Sequence, residues 1–163
     1  MDFSVPGNDR LTLVRREYSH PDTVLLLERL QELYTRIYGG PDASPIHDAE
    51  FDPPHGAIAV GYRNGEPVAI GAWRRVSDDR AELKRMFVAD AHRGRGYSRE
   101  VLSWLENSAR DHGVTLMILE TNENHPTAIA LYRSAGYEDI PNYGHYANNI
   151  HTVSLGRELP PKS

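Results

Sequence analysis

The stretch GAIAVGYRNGEPVAIGAWRRV, residues 56–76, constrains the fold more than any other part of the chain. Ile58, Val60 and Tyr62 alternate with smaller residues, as a strand requires. Asn64-Gly65 then supplies the two positive-φ positions that a two-residue hairpin turn demands. Two apolar runs joined in this way form antiparallel strands. A second turn, SDDR, leads into AELKRMFV (81–88), which extends the pair into a three-stranded meander.

The flanking segments add helices and further strands. RLTLVRREY (10–18) alternates Leu11 and Leu13 with polar neighbours and is predicted to be a first strand. SHPDTVLLLERLQELYTRIYGG follows as an amphipathic helix, capped by Ser19 or His20, with Leu26, Leu30, Leu33 and Ile37 as its stripe and Gly39-Gly40 as its stop. The segment 41–56 is rich in proline and aspartate and too long for a simple turn. After the meander come a helix over about 98–112, a mostly apolar strand VTLMILET (114–121), a second helix HPTAIALYRSAG, and one or two closing strands in the last part of the chain. This order predicts an α/β fold: a mixed, mostly antiparallel sheet of six to seven strands with helices on both faces. Residues 1–9 are expected to be an arm, 10–159 one domain and 160–163 a tail.

Composition removes several function classes. With no cysteine among 163 residues, disulfides, thiolate zinc sites and a cysteine nucleophile are excluded. The formal net charge of -5 is opposite to the footprint of most nucleic-acid binders. No signal peptide or bilayer-length apolar run is seen, so a cytoplasmic protein with no membrane partner is expected. The eight histidines show no pair at zinc-ligand spacing, and no metal is expected.

VADAHRGRGYSREVL (88–102) carries the clearest chemical signal. A glycine-rich turn opening a helix directs several backbone N–H groups one way, at the positive end of the helix dipole, where an anion binds. Arg93 and Arg95 add charge. A dinucleotide fits poorly, because Arg99 occupies the third glycine position and the loop follows a meander rather than the first strand of a βαβ unit. The G-x-x-x-x-G-K-[ST] loop is absent. A nucleic acid would want stacking aromatics and a basic chain, and finds neither.

RGRGYS matches the pattern [RQ]-x-x-G-x-[GA], with Ser98 at the final small position. About 30 residues on, AIALYRSAGYE matches A-x-x-L-Y-x-x-x-G-[FY]. The two motifs, in this order and on these elements, resemble the acetyl-CoA-binding core of the GCN5-related N-acetyltransferase superfamily. LKRM-V before the loop and GY..IP.YG.Y near the end also resemble a bacterial branch of it. The resemblance implies that backbone groups of Arg93, Gly94, Arg95, Gly96, Tyr97 and Ser98 hold the pyrophosphate of coenzyme A, with Phe87 and Val88 pairing with its pantetheine arm. It implies Tyr132 as the general acid that protonates the departing thiolate, and Asn124 or His125 as a further coenzyme contact.

In the same family a strand glutamate near this point is a recurrent base. Glu82 fits that role and is expected to share a face with Lys84, Met86 and Val88; it reads equally as a surface carboxylate paired with Arg80 or Lys84. Tyr143, His145 and Tyr146 are expected to line the acceptor side. Asp42, Glu50 and their neighbours Asp48 and Asp52 would attract a cationic amine, unless they form a solvated loop. The expected activity is transfer of an acetyl group from acetyl-CoA to a primary amine, small molecule or peptide, by direct attack in a ternary complex. A coenzyme-binding sensor of the same fold is the alternative, and a homodimer is compatible with either.

Overall fold

The computed structural model describes residues 10–44 and 47–161, so the expected N-terminal arm and the end of the tail lie outside it. Seven strands form one sheet: β1 (Thr12–Arg15), β2 (Gly56–Arg63), β3 (Glu66–Arg75), β4 (Arg80–Val88), β5 (Leu116–Asn122), β6 (Glu138–Asp139) and β7 (Thr152–Glu158), in the order β1-β2-β3-β4-β5-β7-β6. Three helices cover it: α1 (Pro21–Tyr38), α2 (Tyr97–Asp111) and α3 (Pro126–Ser134). Neighbouring strands are antiparallel except β4 and β5. This is the mixed sheet that the sequence predicts.

Local chemistry accounts for the boundaries. Asn64 and Gly65 have φ of 52° and 79°, so the β2–β3 turn adopts the mirror-image form that matches strand twist. The ring nitrogen of His20 accepts the Asp22 amide at 3.1 Å, and Gly39 at φ 80° ends α1 with its N–H on the Thr35 carbonyl. Strand alternation divides the core between the two faces of the sheet. Ile58, Val60, Ile70 and Ala72 pack with Leu26 of α1 and Phe51. Ala57, Ala59, Ala81 and Leu83 pack with Val101, Leu102 and Leu105 of α2 and with Tyr132 and Tyr137. The sheet is buried on both sides, which explains why its central strands are apolar at nearly every position.

Two irregularities position the site. The first is a bulge in β4, where the register against β3 shifts between Ile70 and Ala72 and Arg85 takes a left-handed φ of 60°. The extra residue reverses the alternation. Phe87 joins Glu82 and Lys84 on the α1 side, while Met86 and Val88 pack on the α2 side with Ala81 and Leu83. The expectation that Glu82, Lys84, Met86 and Val88 share one face is therefore corrected, because it assumed an unbroken period of two. The second irregularity is a parting of strands. β4 and β5 pair over Arg80–Glu82 and Leu116–Ile118, then separate, while β5 stays paired with β7 to its end.

Candidate active site

Beyond Glu82, β4 presents a bare main-chain edge toward β5. Ala89 donates its amide to the Val68 carbonyl at 2.8 Å, and Phe87 stands opposite Ile70. Alternation then turns the N–H and C=O of Phe87 toward β3 and those of Met86 and Val88 toward the gap. Of the two residues expected to meet a pantetheine arm, Val88 has its groups on that edge and Phe87 does not. Met86 shares the open edge with Val88. The Val88 carbonyl already accepts from Arg93 Nε at 3.1 Å, and Arg93 also pairs with Asp90 at 3.1 Å. Arg93 thus shapes the loop as well as charging it.

The loop runs from this edge into α2. Gly94 and Gly96 have φ of 78° and 80°, and nothing lies within 4 Å of where a Cβ would sit on either. Gly96 stands at the N-cap with no side-chain hydrogen bond, so the amides of the first turn face outward without an intrahelical partner. Arg95 is exposed and Ser98 half-buried. Tyr97 contributes its backbone alone, because its side chain is 1% exposed within the core. A diphosphate and an extended amide-bearing arm fit this arrangement: open amides and left-handed glycines for one, an unpaired strand edge for the other.

A cavity of about 320 Å³ opens on the α1 side of the gap, lined by Tyr34, Tyr38, Asp42, Glu120, His125 and Tyr146 among others. Glu120 of β5 is its chemically distinctive wall. Its Oε2 is buried without a hydrogen-bond partner. Burial, reinforced by the charge of Glu82, pushes this carboxyl above its ordinary range. Glu120 is not among the residues the motifs single out; its one signal in the sequence is its place as the first polar residue after an apolar run, at the carboxyl end of a strand, where α/β sheets bind ligands. Tyr132, in the second turn of α3, is 6% exposed and packs edge-on against Tyr137 at 5.7 Å. Burial alone pushes its hydroxyl well above the usual range, so it stays protonated. Tyr132 does not itself line the cavity. His125 is held below its usual value by burial and by Arg93, and is neutral at neutral pH. Its neighbour Asn124 is exposed, with its amide on the Asn122 side chain at 2.8 Å, and does not line the cavity.

Residues 27–137 match the profile of the acetyltransferase (GNAT) family. The chain belongs to the GNAT acetyltransferase family. It is 30% identical over 151 residues to a protein of Azospirillum brasilense named IAA acetyltransferase, covering 92% of this chain and 97% of that one. Its fold is similar to that of a Klebsiella pneumoniae chain named as an acyl-CoA N-acyltransferase, with a TM-score of 0.79, 23% identity and coverage of 93% and 99%. A GNAT family acetyltransferase from Elizabethkingia anophelis, solved with acetyl-CoA bound, superposes with a TM-score of 0.66 at 16% identity, over 93% of this chain and 99% of that one.

In this GNAT chain the loops at the cavity are held together by Asp42. Its carboxylate accepts from Arg85 on the bulge, from the Tyr146 hydroxyl at 2.5 Å and from the Ser44 amide at 2.9 Å. Lys84 lies 3.8 Å away and donates to the Ser44 hydroxyl at 2.7 Å. The Tyr146 hydroxyl in turn accepts the Ala43 amide at 3.0 Å. One carboxylate therefore joins the loop after α1, the bulge of β4 and the loop before β7. Burial pushes Asp42 up, but Lys84, Tyr146, Arg85 and the Ser44 amide together hold it at about 2.

The expected acidic loop is accordingly not a set of free charges. Asp42 is committed to two cations, Glu50 pairs with Arg74 at 3.4 Å, and Asp48 and Asp52 are exposed away from the cavity lining. Glu82 is buried rather than on the surface, and its partners are neither Arg80 nor Lys84. Its Oε1 accepts from Arg74 at 3.1 Å and its Oε2 from the Tyr143 hydroxyl at 2.7 Å. Both oxygens are occupied, and Glu82 stands behind Glu120 as a neighbouring negative charge. Tyr146 lines the cavity; His145 packs edge-on against its ring at 4.7 Å without lining it.

Proposed function

We propose that this GNAT chain transfers an acetyl group from acetyl-CoA to a primary amine by direct attack in a ternary complex. The observation that carries this reading is the parting of β4 from β5. It leaves the Met86 and Val88 amides without a strand partner between a glycine loop at a helix N-terminus and a cavity walled by Glu120.

Met86 and Val88 would hold the pantetheine arm of the coenzyme, and the amides of Gly94, Gly96, Tyr97 and Ser98 its diphosphate. Acetyl-CoA supplies the acetyl thioester. The remaining work is moving protons. An amine reaches the site as ammonium and needs a base, and Glu120, rather than the fully engaged Glu82, has a carboxylate oxygen free to accept the proton. Tyr132, held protonated by burial, is the donor for the sulfur that leaves. The family's N–H on the open strand edge, here that of Val88 or Met86, is aimed where negative charge develops on a carbonyl oxygen. A sensor that only bound the coenzyme would have no use for a base with a raised proton affinity in a separate cavity.

Coenzyme A release from acetyl-CoA across an amine panel tests the activity; tight coenzyme binding with no turnover would favour the sensor. Two variants test the parts. Tyr132→Phe keeps the ring packing and lowers kcat by about 100-fold, with KM for acetyl-CoA little changed; full turnover would remove the general-acid assignment. Gly96→Val raises KM for acetyl-CoA about tenfold or more, since each lost N–H contact costs about 1 kcal/mol. The open space around Gly96 lets the folded chain accept the side chain at a strain cost of roughly 1–2 kcal/mol. Unchanged affinity in folded protein would remove the phosphate-loop assignment.

A further inference from the structure

The cavity beside Glu120 also selects a class of amine, an inference that rests on the transferase reading above. Three tyrosine rings stand on its walls among polar side chains. Tyr34 and Tyr38 of α1 lie 5.7 Å apart at 45°, and Tyr146 closes the cavity from the loop before β7, anchored through its hydroxyl. Its size, about 320 Å³, is at the lower end of the roughly 300–1,000 Å³ usual for small-molecule sites. Its charge is one-sided. Among the described residues no lysine or arginine lines it, and the nearby cations Lys84 and Arg85 are turned onto Asp42 and Ser44. His125, neutral at neutral pH, adds no positive charge. Glu120 lies on its wall, with the Gly144 and Tyr146 amides on its carboxyl and its Oε2 buried without a hydrogen-bond partner.

We propose that the acceptor is a small arylalkylamine without an α-carboxylate, its ammonium donating to Glu120 and its ring lying among Tyr34, Tyr38 and Tyr146. A carboxylate on the carbon next to the nitrogen would be forced beside Glu120, with Asp42 as the next charge; Lys84, whose charge reaches Glu120, is already held by Asp42 and Ser44. That like-charge juxtaposition sets amines apart from the amino acids they derive from. A polyamine gains less, because it has no ring to lay against the tyrosines and the second carboxylate, Asp42, is already neutralised by two cations. The aromatic faces favour a ring and tolerate the nearby cationic nitrogen.

The test measures coenzyme A release with phenethylamine and tryptamine against phenylalanine and tryptophan, with spermidine and a short peptide amine as further arms. Each arylalkylamine is expected to exceed its amino acid in kcat/KM by at least about 100-fold. Parity, or preference for the amino acid, spermidine or the peptide, overturns the acceptor class while leaving the transferase reading intact. If acetyl-CoA binds and no amine turns over, the transferase reading falls. Titration of tryptamine and tryptophan into the coenzyme A-loaded protein then decides the ligand class: tighter binding of tryptamine supports it, and equal or absent binding overturns it.

Discussion

Glu120→Gln lowers kcat by about 100- to 1,000-fold and removes the acid limb of the pH–rate profile. The glutamine keeps the shape of the side chain and cannot take a proton from ammonium. In the wild type, Glu120 must be ionised to act, so activity falls as pH drops through its pKa. Burial and Glu82 raise that pKa, so the limb lies above the ordinary glutamate value of 4.5. Glu82→Gln separates the two carboxylates. It removes the neighbouring negative charge, so the limb moves to lower pH while most of kcat survives. A profile that keeps its acid limb in Glu120→Gln and loses it in Glu82→Gln would return the base role to Glu82. Steady-state kinetics over pH, with acetyl-CoA saturating, measures both.

Asp42→Ala has the largest effect on stability. It strips the shared anion from Arg85 and Lys84, which are 6% and 9% exposed, and leaves the buried Arg85 without the carboxylate it pairs with, while Lys84 keeps only the charge of Glu82. Breaking a buried pair in this way costs about 3 kcal/mol, which at this chain length lowers Tm by roughly 6–12 °C. The loss also frees Tyr146, so KM for the amine rises while KM for acetyl-CoA holds. The pH dependence gives an independent check. Asp42 is held at about 2 against 3.8 unfolded, so its stabilisation is complete above 3.8 and is lost as pH falls toward 2. Asp42→Asn removes that acid-dependent step. Thermal melts between neutral pH and pH about 2 would show it, and superimposable curves for wild type and Asp42→Asn would reject the clamp.

Much of the frame was legible because local chemistry and global fold agree. Asn64-Gly65 specifies its turn, Gly39 its helix end, and Gly94 and Gly96 their left-handed positions, each through a backbone requirement that one residue type meets. Face assignment on β4 failed for a definite reason. Arg85 carries no sign of being the extra residue in a bulge, since its positive φ is imposed by the strands around it, and one inserted position reverses every side chain after it. The proposed base was obscured in a similar way. Glu82 is conspicuous on a polar stretch of strand, whereas Glu120 owes its character to Glu82 and to a cavity assembled from α1, β5 and the loop before β7. No window of sequence contains those partners. Nor does the loop 41–56 reveal which of its acids is neutralised, because the cations that do so lie on β3 and β4.

The unpaired edge of β4 has a further consequence, for how the protein breathes. In a closed sheet the Met86 and Val88 amides would be among the slowest to exchange with deuterated water, shut into the ladder from both sides. Here they open on the gap, so in the free protein they exchange quickly beside the Phe87 amide, which faces β3 and stays protected. Coenzyme binding supplies the missing strand. Those two amides should then slow together while Phe87 changes little, turning the exchange rates of one short segment into a site-resolved record of occupancy, independent of the acceptor.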